Sequence, residues 1–211
     1  MKANFTWKNL TPFLPQQELL LDYLRVLFMR MRIISGIFKG RLINVPQSKE
    51  IRPTTDRVRE TLFNILNNRI DFDGIEVLDF YSGSGSLGLE CISRGALHVT
   101  FIERNFQIYK NLLENIKSLG IESSCKVIKS EALNYSKRSS EKHYDLILAD
   151  PPFFKDDIYD VVKNLVSNNY LKEDGMIVIE RSIQTKDKDI ANLKVEPFKI
   201  IGDACLYEIR K

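Results

Sequence analysis

The sequence is poor in the residues that build metal centres and disulfide frameworks. Of its 211 residues, three are cysteine and two are histidine. Cys91, Cys125 and Cys205 are far apart and form no C-x-x-C pair. This argues against a zinc site and favours free thiols in a reducing compartment, the cytoplasm. His98 and His143 stand alone beside predicted strands, so we expect neither a metal site nor a histidine-activated nucleophile.

The chain also lacks a long apolar run, an internal repeat and a low-complexity block. No segment approaches the roughly 20 apolar residues that a membrane helix needs. A length of 211 residues then predicts one domain with a sizeable core, or one domain with an appendage. The formal net charge of +3 by itself favours no class of partner.

The first 30 residues differ from the rest. An aromatic- and proline-containing start leads into a short apolar segment at residues 16–30, QQELLLDYLRVLFMR. Glu18 and Asp22 interrupt this segment and bulky residues follow it, unlike a secretory signal. Because Met31 begins a segment typical of a natural start, we interpret residues 1–30 as an upstream extension. It is either an error in the assigned start or a loosely docked helix.

The strongest pattern is VLDFYSGSGSLGLE at residues 77–90. An apolar run ends at Asp79, a turn containing Gly83, Gly85 and Gly88 follows, and a helix is predicted after it. A G-x-G-x-x-G between a strand and a helix is typical of a nucleotide-like ligand held at the turn. No Gly-Lys-Ser/Thr follows, which excludes a P-loop. A dinucleotide competes with S-adenosylmethionine (SAM), but a carboxylate at Asp79 disfavours pyrophosphate and suits a cationic ligand such as SAM.

From residue 74 onward, strand-like and helix-like segments alternate, which predicts a mostly parallel sheet with helices on both faces. The predicted strands are 75–80, 98–103, 126–129, 144–149 and 176–180, with weaker ones at 194–200 and 205–209. The last two have no helix between them and predict a terminal hairpin.

Polar residues at the carboxyl ends of parallel strands meet at one ligand-binding edge of such a sheet. Glu103 ends the second strand about 20 residues after Gly83, the position of an acid that binds ribose hydroxyls. Glu131 and Ala132 follow the third strand. DPPF, residues 150–153, follows the fourth.

DPPF supplies the predicted chemistry. Pro151 and Pro152 each fix their own φ and restrain the residue before them, so the loop is stiff. The Asp150 carboxylate and the Pro151 carbonyl have the right chemistry to accept both hydrogens of an exocyclic amine on a nucleobase and to direct its nitrogen at an activated methyl group. Phe153 offers a face on which the base stacks. The alternative is a rigid turn without a catalytic role.

Cations concentrate between residues 32 and 59, where seven of them face two acids and leave a net +5. The pattern RIISGIFKGRLINV at residues 32–45 predicts a β-hairpin around Gly36 and Gly40, and a helix capped by Thr54 or Thr55 follows. Concentrated charge on such a ribbon predicts a nucleic-acid partner; a solvated basic face is the alternative. The predicted RNA contacts are Arg32, Lys39, Arg41, Arg52 and Arg59.

Three segments carry a resemblance to a known family: RPTTDRVRETLFN at residues 52–64, DFYSGSGSLGLE at 79–90 with the SRGA that follows, and DPPF. From about Met31 to its C-terminus, the chain closely resembles the RsmD-type bacterial 16S rRNA (guanine-N2)-methyltransferases. The resemblance implies a Rossmann-like class I methyltransferase fold with a seven-stranded sheet, and SAM as the cofactor. It implies methylation of one guanine N2 in the small-subunit rRNA during ribosome assembly, with an N-terminal hairpin that contacts RNA.

The resemblance also assigns residues. Cofactor contacts are expected at Thr54, Arg57, Asp79, Tyr81, Ser82, Gly83, Ser84, Gly85, Glu103, Arg104, Glu131 and Ala132. Asp150, Pro151, Pro152 and Phe153 are expected to hold the guanine. Residues 31–70 form an RNA-contacting hairpin and a helix that closes over the cofactor, and residues 71–211 form the methyltransferase domain. We expect a monomer without metal or membrane contact.

Two other functions stay open from the residues alone. One keeps the cofactor and changes the acceptor to an adenine N6 or another amino group. The other is a non-catalytic rRNA-binding assembly factor. Asp150 and the motif at residues 52–64 argue for guanine, and Asp79, Glu103 and DPPF argue for an enzyme.

Overall fold

The computed structural model of the chain describes residues 28–46, 56–152 and 155–211. The predictions made for residues 1–27, Arg52, Thr54 and Phe153 lie outside these ranges. Within the described ranges, no helix is both long and apolar enough to cross a membrane.

A two-stranded antiparallel sheet opens the described part of the chain and confirms the predicted hairpin. Its strands are β1 (Phe28–Arg32) and β2 (Leu42–Pro46). Burial alternates along β2: Ile43 and Val45 face the core while Leu42 is exposed, as expected of a strand with one solvated face. β1 begins three residues before Met31, within the segment interpreted as an extension.

A seven-stranded sheet forms the main body. Its strands are β3 (Glu76–Phe80), β4 (His98–Glu103), β5 (Cys125–Lys129), β6 (Tyr144–Ala149), β7 (Leu171–Ser182), β8 (Lys199–Ile201) and β9 (Ala204–Arg210). The α-helices are α1 (Asp56–Asn67), α2 (Ser86–Ser93), α3 (Phe106–Leu119), α4 (Ala132–Ser136), α5 (Asp157–Ser167) and α6 (Lys186–Leu193). The sheet has seven strands, as predicted from the sequence, and its last two strands form the predicted terminal hairpin.

The strand order is β5-β4-β3-β6-β7-β9-β8. The first five pair in parallel, and β9 runs antiparallel to both β7 and β8. The chain adds β4 and β5 on one side of β3 and then returns to place β6 on the other. The order therefore reverses between β3 and β6, which is the switch point where ligands bind in such sheets.

Two apolar layers cover the sheet, because successive side chains of each strand point to opposite faces. On β3, Val77 belongs to the layer that contains apolar residues of α1, α2 and α3, while Leu78 belongs to the layer that contains apolar residues of α5. On β6, Leu146 and Ile147 divide between the same two layers. Burial on both faces explains why these strands are near-continuous apolar runs.

Candidate active site

The structure brings the glycine turn and the DPP segment to adjacent points of one edge. β3 and β6 pair in parallel with Phe80 opposite Ala149. The turn that follows Phe80 and the Asp150 that follows Ala149 therefore start side by side. This adjacency comes from the strand order, because the two segments are about 70 residues apart in the chain.

Gly88 of the motif lies in α2, and the two glycines that remain in the turn, Gly83 and Gly85, have different roles. Gly83 has φ +55°, and a Cβ built on it would meet no atom closer than the Tyr81 carbonyl oxygen, at 3.9 Å. Gly85 has φ +85°, and its Cβ would lie 2.4 Å from Leu112 Cδ1. The core therefore requires glycine at 85, while the space beside Gly83 is open to a ligand.

Asp79 is buried beneath this turn, with 1% of its surface exposed. Its Oδ2 accepts a hydrogen bond from the Gly88 N–H at 3.0 Å. Burial, together with the charges of Asp150 and Glu103, raises the pKa of Asp79 to about 8 despite that bond. Three carboxyl groups thus converge at one edge, an arrangement that favours a cationic ligand.

Glu103 holds the turn from the end of β4. Its Oε2 accepts from the Gly83 N–H at 3.0 Å and its Oε1 from the Asn105 N–H at 2.7 Å. Burial raises its pKa against the effect of these bonds. Ser82 links the turn to β3, since its hydroxyl donates to the Asp79 carbonyl. Because a carboxylate oxygen accepts more than one hydrogen bond, Glu103 retains capacity for ribose hydroxyls.

A depression of about 440 Å³ lies beside Glu103, between the ends of β4 and β5. Its lining residues are Arg104, Asn105, Lys129, Ser130 and Glu131. Arg104 and Glu131 are exposed, while Ala132 is buried at the start of α4. Glu131 and Ala132 are among the residues at which the family resemblance implies contacts with the cofactor.

The other predicted cofactor residues lie around the turn or at its rim. Ser84 is buried. Tyr81 lies in the turn, and its side chain reaches Asp157 in the segment after β6. Arg57 is exposed in the first turn of α1.

The DPP segment is compact. Asp150 is half-buried, Pro151 is buried and Pro152 is exposed. The Pro152 carbonyl accepts a hydrogen bond from the Lys155 N–H at 2.9 Å. Since both prolines restrict φ, the segment presents the Asp150 carboxylate on a short, stiff loop.

Glu90, in the glycine motif, anchors the hairpin, a role that the sequence analysis did not foresee. Its buried carboxylate accepts from the backbone N–H groups of Ile34 and Ser35 at 2.7 and 3.0 Å and pairs with Arg94 at 2.9 Å. Gly36 follows, where a Cβ would lie 1.7 Å from the Ser93 carbonyl oxygen. The connection between β1 and β2 therefore docks closely on α2.

Asn115 of α3 links the hairpin to the glycine turn. Its side-chain amide accepts from the Asn44 N–H and donates to the Asn44 carbonyl, both at 2.9 Å. The same amide donates to the Ser84 carbonyl at 3.0 Å. One buried side chain thus satisfies backbone groups of β2 and of the turn.

Three of the predicted RNA-contacting cations are exposed on the hairpin: Arg32, Lys39 and Arg41. Arg32 also pairs with Asp56 at 3.1 Å. Arg41 donates to the Ser118 carbonyl at 2.7 Å. These contacts orient the two guanidinium groups and leave them accessible.

Arg59 does not fit its predicted role as an RNA contact, because only 1% of its surface is exposed. Its Nη2 donates to the Arg32 carbonyl at 2.7 Å and to Asp56 Oδ1 at 2.9 Å. Arg59 therefore fastens the hairpin to α1 from the inside and is not available to a phosphate.

Comparison with known proteins places the chain. Residues 31–210 match the family model described as "Conserved hypothetical protein 95". The ribosomal RNA small subunit methyltransferase D of Haemophilus influenzae is 38% identical over 162 residues, which cover 76% of this chain and 81% of that protein. The protein of the same name from Escherichia coli is 36% identical over 182 residues, or 85% of this chain and 90% of that one.

A solved structure, a putative methyltransferase from Escherichia coli, superposes with a TM-score of 0.72 at 30% identity and covers 86% of this chain and 99% of that one. This likeness confirms the predicted class I methyltransferase fold. The chain therefore belongs to the "Conserved hypothetical protein 95" family, the family of the ribosomal RNA small subunit methyltransferases D.

Proposed function

We propose that this protein transfers a methyl group from SAM to the exocyclic N2 of a guanine in the 16S rRNA of the small ribosomal subunit. The observation that carries the proposal is the meeting of the glycine turn and Asp150 at the switch point of a methyltransferase sheet. The names of its relatives support rRNA as the substrate class.

The residues at this edge fit SAM. Asp79, Glu103 and Asp150 supply negative charge for an ammonium and a sulfonium, and the open side of Gly83 leaves room beside the turn. The depression next to Glu103 offers space for an adenine. When bound, SAM supplies an activated methyl group on its sulfonium.

The proposed roles in the chemistry fall on the DPP segment. The Asp150 carboxylate and the Pro151 carbonyl accept the N–H groups of the target amine and aim its nitrogen lone pair at the methyl carbon. As the N–C bond forms and the S–C bond breaks, positive charge develops on the nitrogen, and Asp150 stabilises it. The sulfur keeps the electron pair of the broken bond as a neutral thioether, and the nitrogen loses one proton to solvent. Phe153 is proposed to stack on the base.

The chain has two proposed functional parts, one that contacts RNA and one that binds the cofactor. The hairpin and α1, within residues 31–70, present cations to RNA, and residues 71–211 hold the cofactor and the base. Because Glu90 and Asn115 dock the hairpin on α2 and α3, RNA bound there lies on a surface fixed to the glycine turn. Residues 1–30 are proposed to be an upstream extension whose last three residues, 28–30, continue β1 of the hairpin. The protein is proposed to act as a cytoplasmic monomer.

The direct test incubates the purified protein with SAM and small-subunit particles, and analyses the nucleosides by mass spectrometry. We expect N2-methylguanosine. The product N6-methyladenosine would favour the adenine alternative. Tight RNA binding without any methylated nucleoside would favour the assembly factor.

Replacing Arg32, Lys39 and Arg41 together with alanine should weaken RNA binding most at low salt. Each phosphate contact contributes about 0.9 to the slope of log affinity against log salt, so the triple variant should show a shallower slope by about 2 to 3. Filter binding across a salt series measures this.

The matched control removes three lysines from the opposite edge of the sheet, where they pair with Glu76, Asp145 and Asn169: Lys142, Lys172 and Lys211. An equal loss of affinity in both triple variants would show a general charge effect and exclude the hairpin as the specific contact.

The affinity for SAM should rise with pH, by about tenfold per unit between pH 6 and 7. A group of pKa about 8 is mostly protonated there, and each unit raises its ionised fraction about tenfold. Binding the SAM ammonium selects ionised Asp79 and so releases a proton. Calorimetry in buffers of different ionisation enthalpy measures both effects.

Asp79 makes the folding stability fall as the pH rises, whereas an ordinary salt-bridged acid makes it rise. Because the pKa of Asp79 is raised on folding, the ligand-free protein binds more protons folded than unfolded and loses stability as pH rises from about 4 towards about 8.

Asp79→Asn is the control for the proton release on SAM binding and should release no proton. Proton release by that variant equal to wild type would assign the effect to another group.

A further inference from the structure

The turn after β3 and the segment after β6 are tied together by side chains that the proposed chemistry does not use. The Tyr81 hydroxyl donates a hydrogen bond to Asp157 Oδ1 at 3.0 Å. Lys155 Nζ pairs with Asp157 Oδ2 at 2.8 Å and lies 5.6 Å from the centre of the Tyr81 ring. One carboxylate thus connects the glycine turn to the segment that continues from Pro152.

The backbone of Tyr81 is unusual. Three non-glycine residues of the described ranges have positive φ: Tyr81, Asn169 and Lys194. The last two follow α5 and α6, where a left-handed residue is an ordinary helix ending. Tyr81, with φ +57°, follows a strand. Such a conformation costs about 1 to 3 kcal/mol and persists where the surroundings hold it.

The partner segment is held from the other side as well. The Lys155 N–H donates to the Pro152 carbonyl, and its own carbonyl accepts from Arg181 Nη1 at 3.4 Å. Arg181, buried near the end of β7, is fixed by Asp189 at 3.0 Å. Asp157 begins α5, where the helix N-terminus favours its negative charge. Lys155 is thus held towards β7 by Arg181, and the Asp157 carboxylate links the same segment to the turn.

We propose that Tyr81, Lys155 and Asp157 form a latch that fixes the Asp150–Pro152 loop relative to the glycine turn. Tyr81 is then a positioning residue that acts through its hydroxyl. Its contribution lies in the methyl-transfer step, because the latch sets the distance and angle between the target nitrogen and the methyl group. This kinetic role rests on the proposed function; the structural latch does not.

Tyr81→Phe removes the hydroxyl and keeps the ring. Amide hydrogen exchange of residues 150–160 should become about five to ten times faster, since the segment loses the hydrogen bond between the Tyr81 hydroxyl and Asp157. The single-turnover rate of methyl transfer should fall about tenfold, while the dissociation constant for SAM and the KM for RNA stay within about twofold. A typical hydrogen bond has this magnitude of effect.

The matched control is Tyr170→Phe, which removes a hydroxyl that donates to the Tyr135 carbonyl at 2.8 Å, away from the turn. It should leave exchange at residues 150–160 and the rate unchanged. The double variant Tyr81→Phe/Asp157→Ala should transfer methyl groups no more slowly than Asp157→Ala alone, because both substitutions remove the same hydrogen bond. Melting temperatures verify that each variant is folded.

Wild-type exchange and rate in Tyr81→Phe would overturn the latch, as would additive losses in the double variant. A rate loss matched by weaker SAM binding would place the hydroxyl in the cofactor pocket and also overturn it. If the wild-type protein methylates no RNA, the proposed function fails, and the exchange measurement still decides whether the latch exists.

Discussion

Asp150→Ala is expected to lower the rate of methyl transfer by about a hundredfold to a thousandfold while SAM still binds. The variant loses the acceptor that orients the target amine and the charge that stabilises its developing positive charge; removal of one such electrostatic contact costs about 10²–10³ in rate. SAM should still bind, because the charge of Asp150 raises the pKa of Asp79; its removal favours ionised Asp79, which offsets the lost carboxylate. Single-turnover methylation and calorimetry measure the two quantities.

Asp145→Ala is the matched control, because Asp145 lies near the start of β6 and Asp150 follows the end of the same strand. Asp145 accepts from the Glu76 N–H and from Lys172, both at 2.8 Å. Its loss should lower stability and leave the rate of the folded protein unchanged. A rate in Asp150→Ala within tenfold of wild type would remove Asp150 from the chemistry.

The second large effect separates the two glycines of the turn. Gly85→Ala should lower the free energy of unfolding by about 2 to 4 kcal/mol, since its methyl group overlaps Leu112 and adds overpacking to left-handed strain. Gly83→Ala should cost only about 1 kcal/mol, from strain alone, because its Cβ meets open space. Urea unfolding measures the difference.

Gly83→Ala, the variant with the smaller loss of stability, should have the larger loss of SAM affinity. The methyl group of Gly83→Ala points into the space proposed for SAM, so this variant should bind SAM at least about tenfold more weakly than wild type. Equal stability of the two variants, or unchanged SAM binding by Gly83→Ala, would contradict the assignment of the open side of the turn to the cofactor.

The sheet was predictable from local patterns. Near-continuous apolar runs ending in acids marked β3, β4 and β6, and the rule that parallel strands present their carboxyl ends at one edge brought Asp79, Glu103 and Asp150 together. That rule acts through topology, so it holds although the residues are distant in the chain.

Arg59 shows where charge counting fails. It was assigned to RNA because it lies in a basic segment, yet it shares the apolar face of α1 with Leu62, Phe63 and Leu66, at positions i, i+3, i+4 and i+7. That periodicity is visible in the sequence and indicates burial. Applied to every cation of the segment, it separates Arg59 from the exposed Arg57.

Glu90 and Asp157 could not have been assigned in this way. Glu90 belongs to a motif that the sequence associates with the cofactor, but its partners are backbone groups of Ile34 and Ser35, more than 50 residues away. Asp157 meets Tyr81 only because β3 and β6 end side by side. Contacts to backbone and contacts across strand ends leave no local pattern.

The most direct test of the central claim maps N2-methylguanine in small-subunit rRNA by mass spectrometry, in cells with the gene intact, deleted, and complemented by wild type or by Asp150→Ala. The proposed function predicts that one N2-methylguanine disappears on deletion and returns with the wild-type gene but not with Asp150→Ala. An unchanged modification profile on deletion, or full restoration by Asp150→Ala, would contradict it.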